Sequence, residues 1–209
     1  HGILISDGLS RLNQALLNTV FVIGHNVDFD LNVLGSEYLR LNMENPLVDL
    51  KTIDTMKTTV DYCQLKLGAE GVVKKVESNG QWKGRDGVDM YKFKIQVYDC
   101  VSEKMQEGLI HKKSNTLPNL TIGDRVGYSI NSKGTIKTRK GFKPPKLEEL
   151  YNKLFDDSYL EVNAHNGAAD VNATARAFFE ILRRQILSSE NTDISSDHIS
   201  SFLSKNNNP

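Results

Sequence analysis

The chain has 209 residues, enough for one domain or two small ones, and its 26 Lys/Arg balance its 26 Asp/Glu, so the overall charge announces no nucleic-acid or membrane-surface partner. Its two cysteines, Cys63 and Cys100, make no disulfide framework and lack a CxxC partner for zinc; a reducing cytoplasm is the expected compartment. No apolar run approaches the roughly 18 residues of a membrane span, and no cleavable signal is visible at the start.

In chain order, Ser6 or Asp7 caps a predicted helix running to about Leu17, with Leu9, Leu12, Leu16 and Leu17 on one side. Val20 to Ile23 reads as a buried strand, an apolar β-branched run that breaks at Gly24. A helix is expected from near Asp30, carrying Leu31, Leu34, Tyr38 and Leu41. That places Asp28 and Asp30 near the C-terminal end of a strand, where ligand sites in α/β sheets gather. Asn45-Pro46 is a break, and Leu47 to Leu50 is a predicted short strand. Ile53-Asp54-Thr55 opens the next helix, with Asp54 as its N-cap, a structural role rather than a ligand.

From about Gly68 the helical period gives way to strand signals. These are Val72 to Val76, an expected Asn79-Gly80 hairpin turn, the alternation from Tyr91 to Val97, and Val126, Tyr128 and Ile130 before a Ser132-Lys133-Gly134 turn. Strands at this density predict a small β-barrel or curled sheet. Residues 71–143 hold 15 Lys/Arg against 7 Asp/Glu, a net +8 that leaves −8 for the remainder, so the neutral total conceals a basic module and an acidic one. Basic strands interleaved with Trp82, Tyr91, Phe93 and Tyr98 suit a surface that tracks a nucleic-acid backbone and stacks bases. Alternation alone equally predicts Tyr91 and Phe93 inside and the lysines as a solvated exterior. Trp82, in the polar loop Gly80 to Gly84, is the aromatic expected to be exposed. Docking of the basic module on the acidic remainder is a further alternative.

In the run from Ala164 to Leu182, Val171, Thr174, Ala175, Phe178, Ile181 and Leu182 recur at helical spacing. Asp170 is therefore expected at a helix start, where the free amides and the dipole favour a carboxylate, and His165 lies in the loop leading in. An imidazole and a carboxylate delivered to one helix mouth suit a site that holds a metal and deprotonates a water; the plain alternative is a cap and a surface histidine. From Ser188 the chain is polar and expected to be loose, with Ile194, Ile199, Phe202 and Leu203 on one side of a weak amphipathic helix.

Gly24-His25-Asn26-x-x-Phe29-Asp30-x-x-x-Leu34 and His165-x-x-x-x-Asp170 resemble the second and third motifs of the DEDDh 3′-5′ exonucleases, the family that includes the proofreading epsilon subunit of bacterial DNA polymerase III. The run from Lys143 to Phe155 is similar to the helix that precedes the third motif there. The family's first motif, Asp-x-Glu on the first strand, has no counterpart before residue 20, so two of its four metal-binding carboxylates and its central strands are missing. The fold class implied is α/β: a ribonuclease H-like exonuclease fold, lacking its first strands, with an inserted small all-β domain. Residues 1–67 and 143–187 would form the frame, 68–142 the insert and 188–209 a tail.

The same resemblance implies hydrolysis of phosphodiester bonds at single-stranded 3′ ends, of DNA rather than RNA, in proofreading or repair. Two Mg2+ or Mn2+ ions, roughly 3.5 to 4 Å apart, would clamp the attacking and leaving oxygens, because the expected ligands are hard carboxylate oxygens. Asp170 would bind the ion carrying the nucleophilic water, Asp30 would support the second, His165 would be the general base, and Asn26 would help place the terminal nucleotide. Trp82 is the added substrate-binding candidate. The missing carboxylates are expected from an N-terminal segment of a longer polypeptide or from a complementing chain; a DNA polymerase is the partner for a proofreading role, a stand-alone repair nuclease the alternative. The alternative is a catalytically incomplete module that binds nucleic acid or protein.

Overall fold

The computed structural model describes residues 2–155, 167–187 and 194–205. The chain is mixed α/β and divides into two compact units, His1–Cys63 with Pro144–Pro209, and Gln64–Lys143. Among the described residues no helix is long and apolar enough to cross a membrane.

The first unit opens with helix α1 (Ile5–Leu16), strand β1 (Phe21–Gly24), helix α2 (Val27–Arg40), a 3-10 turn (Pro46–Asp49) and strand β2 (Lys51–Asp54). The strands β1 and β2 pair in parallel, from Phe21 opposite Lys51 to Gly24 opposite Asp54. Parallel neighbours need a crossover, and α2 supplies it. Leu9, Tyr38 and Leu47 are buried together, with Leu12, Leu16, Val22, Leu31 and Leu34 packed around them. The Tyr38 hydroxyl donates to Asn13 Oδ1, which satisfies the one polar group that this ring carries inward.

Several sequence expectations change here. Helix α1 starts at Ile5 after Leu4, so neither Ser6 nor Asp7 caps it, and β1 is half-buried rather than buried. Leu17 is 80 % exposed, because α1 ends at Leu16 before its side is presented inward. Helix α2 begins at Val27, three residues before Asp30, for a reason that lies on β2 and is described below. Leu47 to Leu50 is a 3-10 turn rather than a strand: Pro46 occupies its first position, and the Asn45 side chain accepts the Leu47 N–H at 3.0 Å.

After β2 come the short helices α3 (Thr55–Thr58) and α4 (Val60–Cys63). Across the second unit in sequence, the first unit resumes with α5 (Leu147–Leu154), α6 (Gly167–Arg183) and α7 (Ser196–Lys205). Helix α5 packs on α6. The guanidinium of Arg176 lies over the rings of Tyr151 and Phe155, 5.2 and 4.8 Å from their centroids. The buried stripe of α6 is Ala173, Ala177, Phe178, Ile181 and Leu182. Val171, expected on the apolar face, is 68 % exposed, and the buried stripe runs through Ala173 and Ala177 instead. Helix α7 sets Phe202 edge-on to Phe178 and Phe21, at 5.8 and 6.4 Å, and Ile194 just before it is buried.

The second unit is a five-stranded antiparallel sheet of β3 (Ala69–Lys83), β4 (Asp89–Asp99), β5 (Met105–Lys112), β6 (Arg125–Ile130) and β7 (Ile136–Arg139), in the order β5-β4-β3-β6-β7. Its edges meet: Leu109 of β5 bridges in parallel to Thr135, and the Leu109 N–H donates to the Gly134 carbonyl at 2.9 Å. That closure requires glycine at 108, where a Cβ would stand 2.6 Å from Cβ of Ile136. A five-stranded sheet whose third and fifth strands meet in parallel has the strand order of the small OB-type Greek-key barrel. Val73, Ile95, Val97, Val126, Tyr128 and Ile136 fill its interior.

The strict alternation of β4 puts Phe93, Ile95 and Val97 inside, as the period predicts. Asn79-Gly80 is not a hairpin turn. It is a bulge within the long strand β3, where the register with β4 shifts between Ser78 and Gln81 and Gly80 takes φ +98°. The hairpin turns instead through Gly84 to Val88, with the Gly84 N–H donating to the Val88 carbonyl at 2.8 Å. At the far end of the barrel, Asp99 accepts the N–H groups of Val101 and Ser102 and the hydroxyl of Tyr128. The Tyr128 hydroxyl and the Ser102 amide hold the Asp99 carboxyl down to about 2, while burial and that carboxylate push the phenol up to about 12.

Candidate functional site

The C-terminal ends of β1 and β2 lie side by side, so the turn Gly24-His25-Asn26 faces Asp54-Thr55. Gly24 is needed for the tightness of its turn, since a Cβ there would meet Val27 at 2.9 Å from Cβ and 3.2 Å from Cα. Asn26 then takes the left-handed conformation, φ 70° and ψ 45°, which asparagine tolerates better than most residues. It is the N-cap of α2 but makes no side-chain cap bond, and it is exposed.

Its backbone N–H is met by a different residue. Asp54 Oδ1 accepts from Asn26 N at 3.0 Å as well as from Met56 N and Lys57 N at 3.0 and 3.4 Å. Asp54 is thus the N-cap of α3, as its sequence position predicts, and also the clamp that joins the two strand ends. This second role is why α2 starts at Val27: the acceptor for the turn comes from 28 residues away. Asp54 is 8 % exposed, and its Oδ2 has no hydrogen-bond partner. The Lys57 ammonium stands 3.8 Å from that oxygen and 2.5 Å from Asp28 Oδ2, and the Asp28 carboxylate raises the lysine's pKa. Sequence reasoning missed the clamp; the available signal was an Asp-Thr following Ile53 at the end of a short strand, in register with a glycine turn closing its neighbour.

His25 is also structural. Nδ1 lies 3.0 Å from Thr55 Oγ1, and Nε2 lies 3.0 Å from the Pro145 carbonyl, which ties the segment before α5 to the turn. The Thr55 hydroxyl in turn reaches the Gly24 carbonyl at 3.1 Å. A neutral ring has one N–H and Thr55 has one proton, so two of the three contacts are made at a time. An imidazolium would donate at both ring nitrogens and leave the Thr55 proton for Gly24, yet burial outweighs the Pro145 bond and the Asp54 charge and lowers the His25 pKa. The folded state thus disfavours the charged ring, while the unfolded chain protonates near 6.5. Stability from this group is complete above about 6.5 and is lost as pH falls through the lowered folded value. We expect the urea midpoint of the protein to fall between pH 7 and 5, and His25→Gln to flatten that fall. An unchanged slope in the variant would assign the pH dependence elsewhere.

Two of the remaining candidates, Asp30 and Asp170, lie on helices of the first unit. Asp30 is exposed in the first turn of α2, together with Asp28. Asp170 is half-buried in the first turn of α6 and is engaged by a neighbour. Both α2 and α6 pack on β1, and α6 also packs on α3. His165 lies outside the described residues. Among the described residues no three His, Cys, Asp or Glu side chains cluster as a metal set. Asp30 and Asp170 have the hard-oxygen chemistry that Mg2+ or Mn2+ requires, but they would hold only part of such a site. Trp82, expected to be exposed, is half-buried at the end of β3, edge-on to His111 at 5.1 Å with Lys92 over its ring at 5.0 Å.

No family model, curated protein or solved structure matches the chain.

Proposed function

We propose that the first unit is the nuclease frame of a metal-dependent 3′-5′ exonuclease of the DEDDh type, with a ribonuclease H-like fold, acting on single-stranded 3′ ends, of DNA before RNA. The observation that supports this most is the Asp54 clamp: it sets the Gly24-His25-Asn26 turn at the C-terminal ends of two parallel strands. Ligand sites of α/β sheets form there, and the helices that carry Asp30 and Asp170 both pack on the same strand. In this reading, bound Mg2+ or Mn2+ supplies a Lewis acid and an activated water. His165 takes the proton of that water, Asp30 and Asp170 hold part of the metal shell, and the exposed Asn26 side chain orients the terminal nucleotide. The other carboxylates come from an N-terminal segment or a complementing chain. Among the described residues β1 pairs with β2 on one edge, so its other edge suits a strand that would bring them. In a proofreading role its partner is a DNA polymerase.

The test is shortening of a 5′-labelled single strand, one nucleotide at a time, by the full-length protein. Activity is expected with Mg2+ or Mn2+, to vanish with chelator, and to fall by about two to four orders of magnitude in His165→Ala, the range for a lost general base. No shortening with either ion, or full turnover by His165→Ala, would overturn the assignment. A second reading, a binding module without catalysis, draws on the incomplete metal set among the described residues. It is the conclusion if binding persists where shortening fails.

A further inference from the structure

The outer face of the barrel gathers features that the nuclease reading leaves unused. Interior positions of β4 alternate with Lys92, Lys94, Gln96 and Tyr98 on the opposite side. Cross-strand partners share a face, so His111 joins Lys92, and Trp82, opposite Met90, lies beside both. The ring contacts agree: His111 edges Trp82, and Lys92 covers it. At the other end of the same face, Lys74 lies over the Tyr98 ring at 5.6 Å. Lys74 comes to this side because of the bulge between Val73 and Lys75. Two cation-covered aromatic rings therefore mark the ends of one partly exposed stripe. They are separated by eight β4 positions, from Met90 to Tyr98, or about 27 Å of extended strand.

The stripe carries two acids, Glu77 and Glu107, already engaged by Lys75 at 2.8 Å and Lys94 at 2.9 Å. Lys74 and Lys92 are the cations set on rings rather than in those ion pairs. The whole unit has 16 Lys/Arg and 8 Asp/Glu, so its charge suits a polyanion. Strand order alone does not assign function. The combination of flat aromatic rings, displaceable ammonium groups and a basic surround does point to a ligand with both bases and phosphates.

We infer that the β3-β4-β5 face binds single-stranded nucleic acid, with Trp82 stacking a base and Lys92 and Lys74 meeting phosphates. A base stacks a whole π-face on the indole where the ammonium makes only a cation–π contact, so it takes the place of Lys92 on the ring, and the long side chain swings to the backbone. The stripe spans several nucleotides, within the roughly 4 to 16 that one barrel of this type accommodates. A duplex, whose bases are already stacked, gives Trp82 nothing to cover. This inference stands on the second unit alone and does not depend on the nuclease reading.

The chain has one tryptophan, so its fluorescence reports this site directly. The experiment titrates the whole chain, in chelator so that no hydrolysis enters, with oligothymidylate of about 12 nucleotides, oligouridylate of the same length, and a duplex. Tryptophan quenching by either single strand is expected, weakening as salt rises, with little response to the duplex. Labelled-strand anisotropy is expected to show about tenfold weaker binding for Trp82→Ala, near-normal binding for Trp82→Phe, which keeps a stacking ring, and weaker binding with a shallower salt slope for Lys74→Ala/Lys92→Ala. Absence of quenching by both single strands, equal binding of the duplex, or loss of binding in Trp82→Phe as large as in Trp82→Ala would overturn the inference.

Discussion

Replacing Asp54 with alanine is expected to cost about 3 kcal/mol of folding stability, the sum of a lost N-cap and a lost charge-assisted hydrogen bond to the Asn26 amide. One carboxylate oxygen accepts three backbone N–H groups, two at the start of α3 and one from Asn26. Asp54→Asn separates the contributions. Its amide oxygen replaces Oδ1 for all three donors, while its NH2 faces the Lys57 ammonium in place of the buried Oδ2. We expect a loss of about 1 kcal/mol for asparagine, since Lys57 is mostly exposed and such pairs are worth little. Urea denaturation followed by circular dichroism measures both. Equal losses for alanine and asparagine would mean that charge rather than hydrogen-bond acceptance holds the strand ends together. If the first unit is a nuclease, the alanine variant should also lose substrate affinity, because Asn26 is released from its left-handed turn.

What the sequence revealed and what it hid divide along the range of the interactions. The alternation from Tyr91 to Val97 predicted which β4 side chains face inward, because period 2 is imposed by the strand itself. The cap role of Asp54 and the Ser132 to Gly134 turn were likewise legible, since their donors and acceptors lie within a few residues: Gly134 N–H reaches the Asn131 carbonyl at 3.0 Å. Asn79-Gly80 misled because the same dipeptide serves a two-residue hairpin and a bulge, and only the pairing with β4 decides between them. The start of α2 was misplaced because its anchor is on another strand. The exposure of Val171 depends on which face of α6 meets its neighbours, which helical spacing alone does not decide. At the candidate site, Asp30 and Asp170 were found at helix starts as expected. The clamp that presents the turn before Asp30 required tertiary contact to see.

Phe178→Ala should be the most destabilising single substitution in α6, at about 4 kcal/mol, the middle of the range for emptying a buried phenylalanine site. The ring is 1 % exposed and meets Phe179 at 5.3 Å and Phe202 at 5.8 Å, both edge-on. Its loss leaves a hole where α6 meets α7, and neither helix can collapse into it without dragging Phe202 from Phe21. Phe178→Leu keeps much of the volume but none of the edge-to-face contact, and about 1.5 kcal/mol is expected. Phe179→Ala is the control: one residue on, that ring is only half-buried, and its removal should cost less than half as much. Urea midpoints at constant slope test the ranking. If Phe179→Ala proves as costly as Phe178→Ala, the inward face of α6 is turned from the one described, and with it the direction in which Asp170 projects, about two helical turns along the same helix.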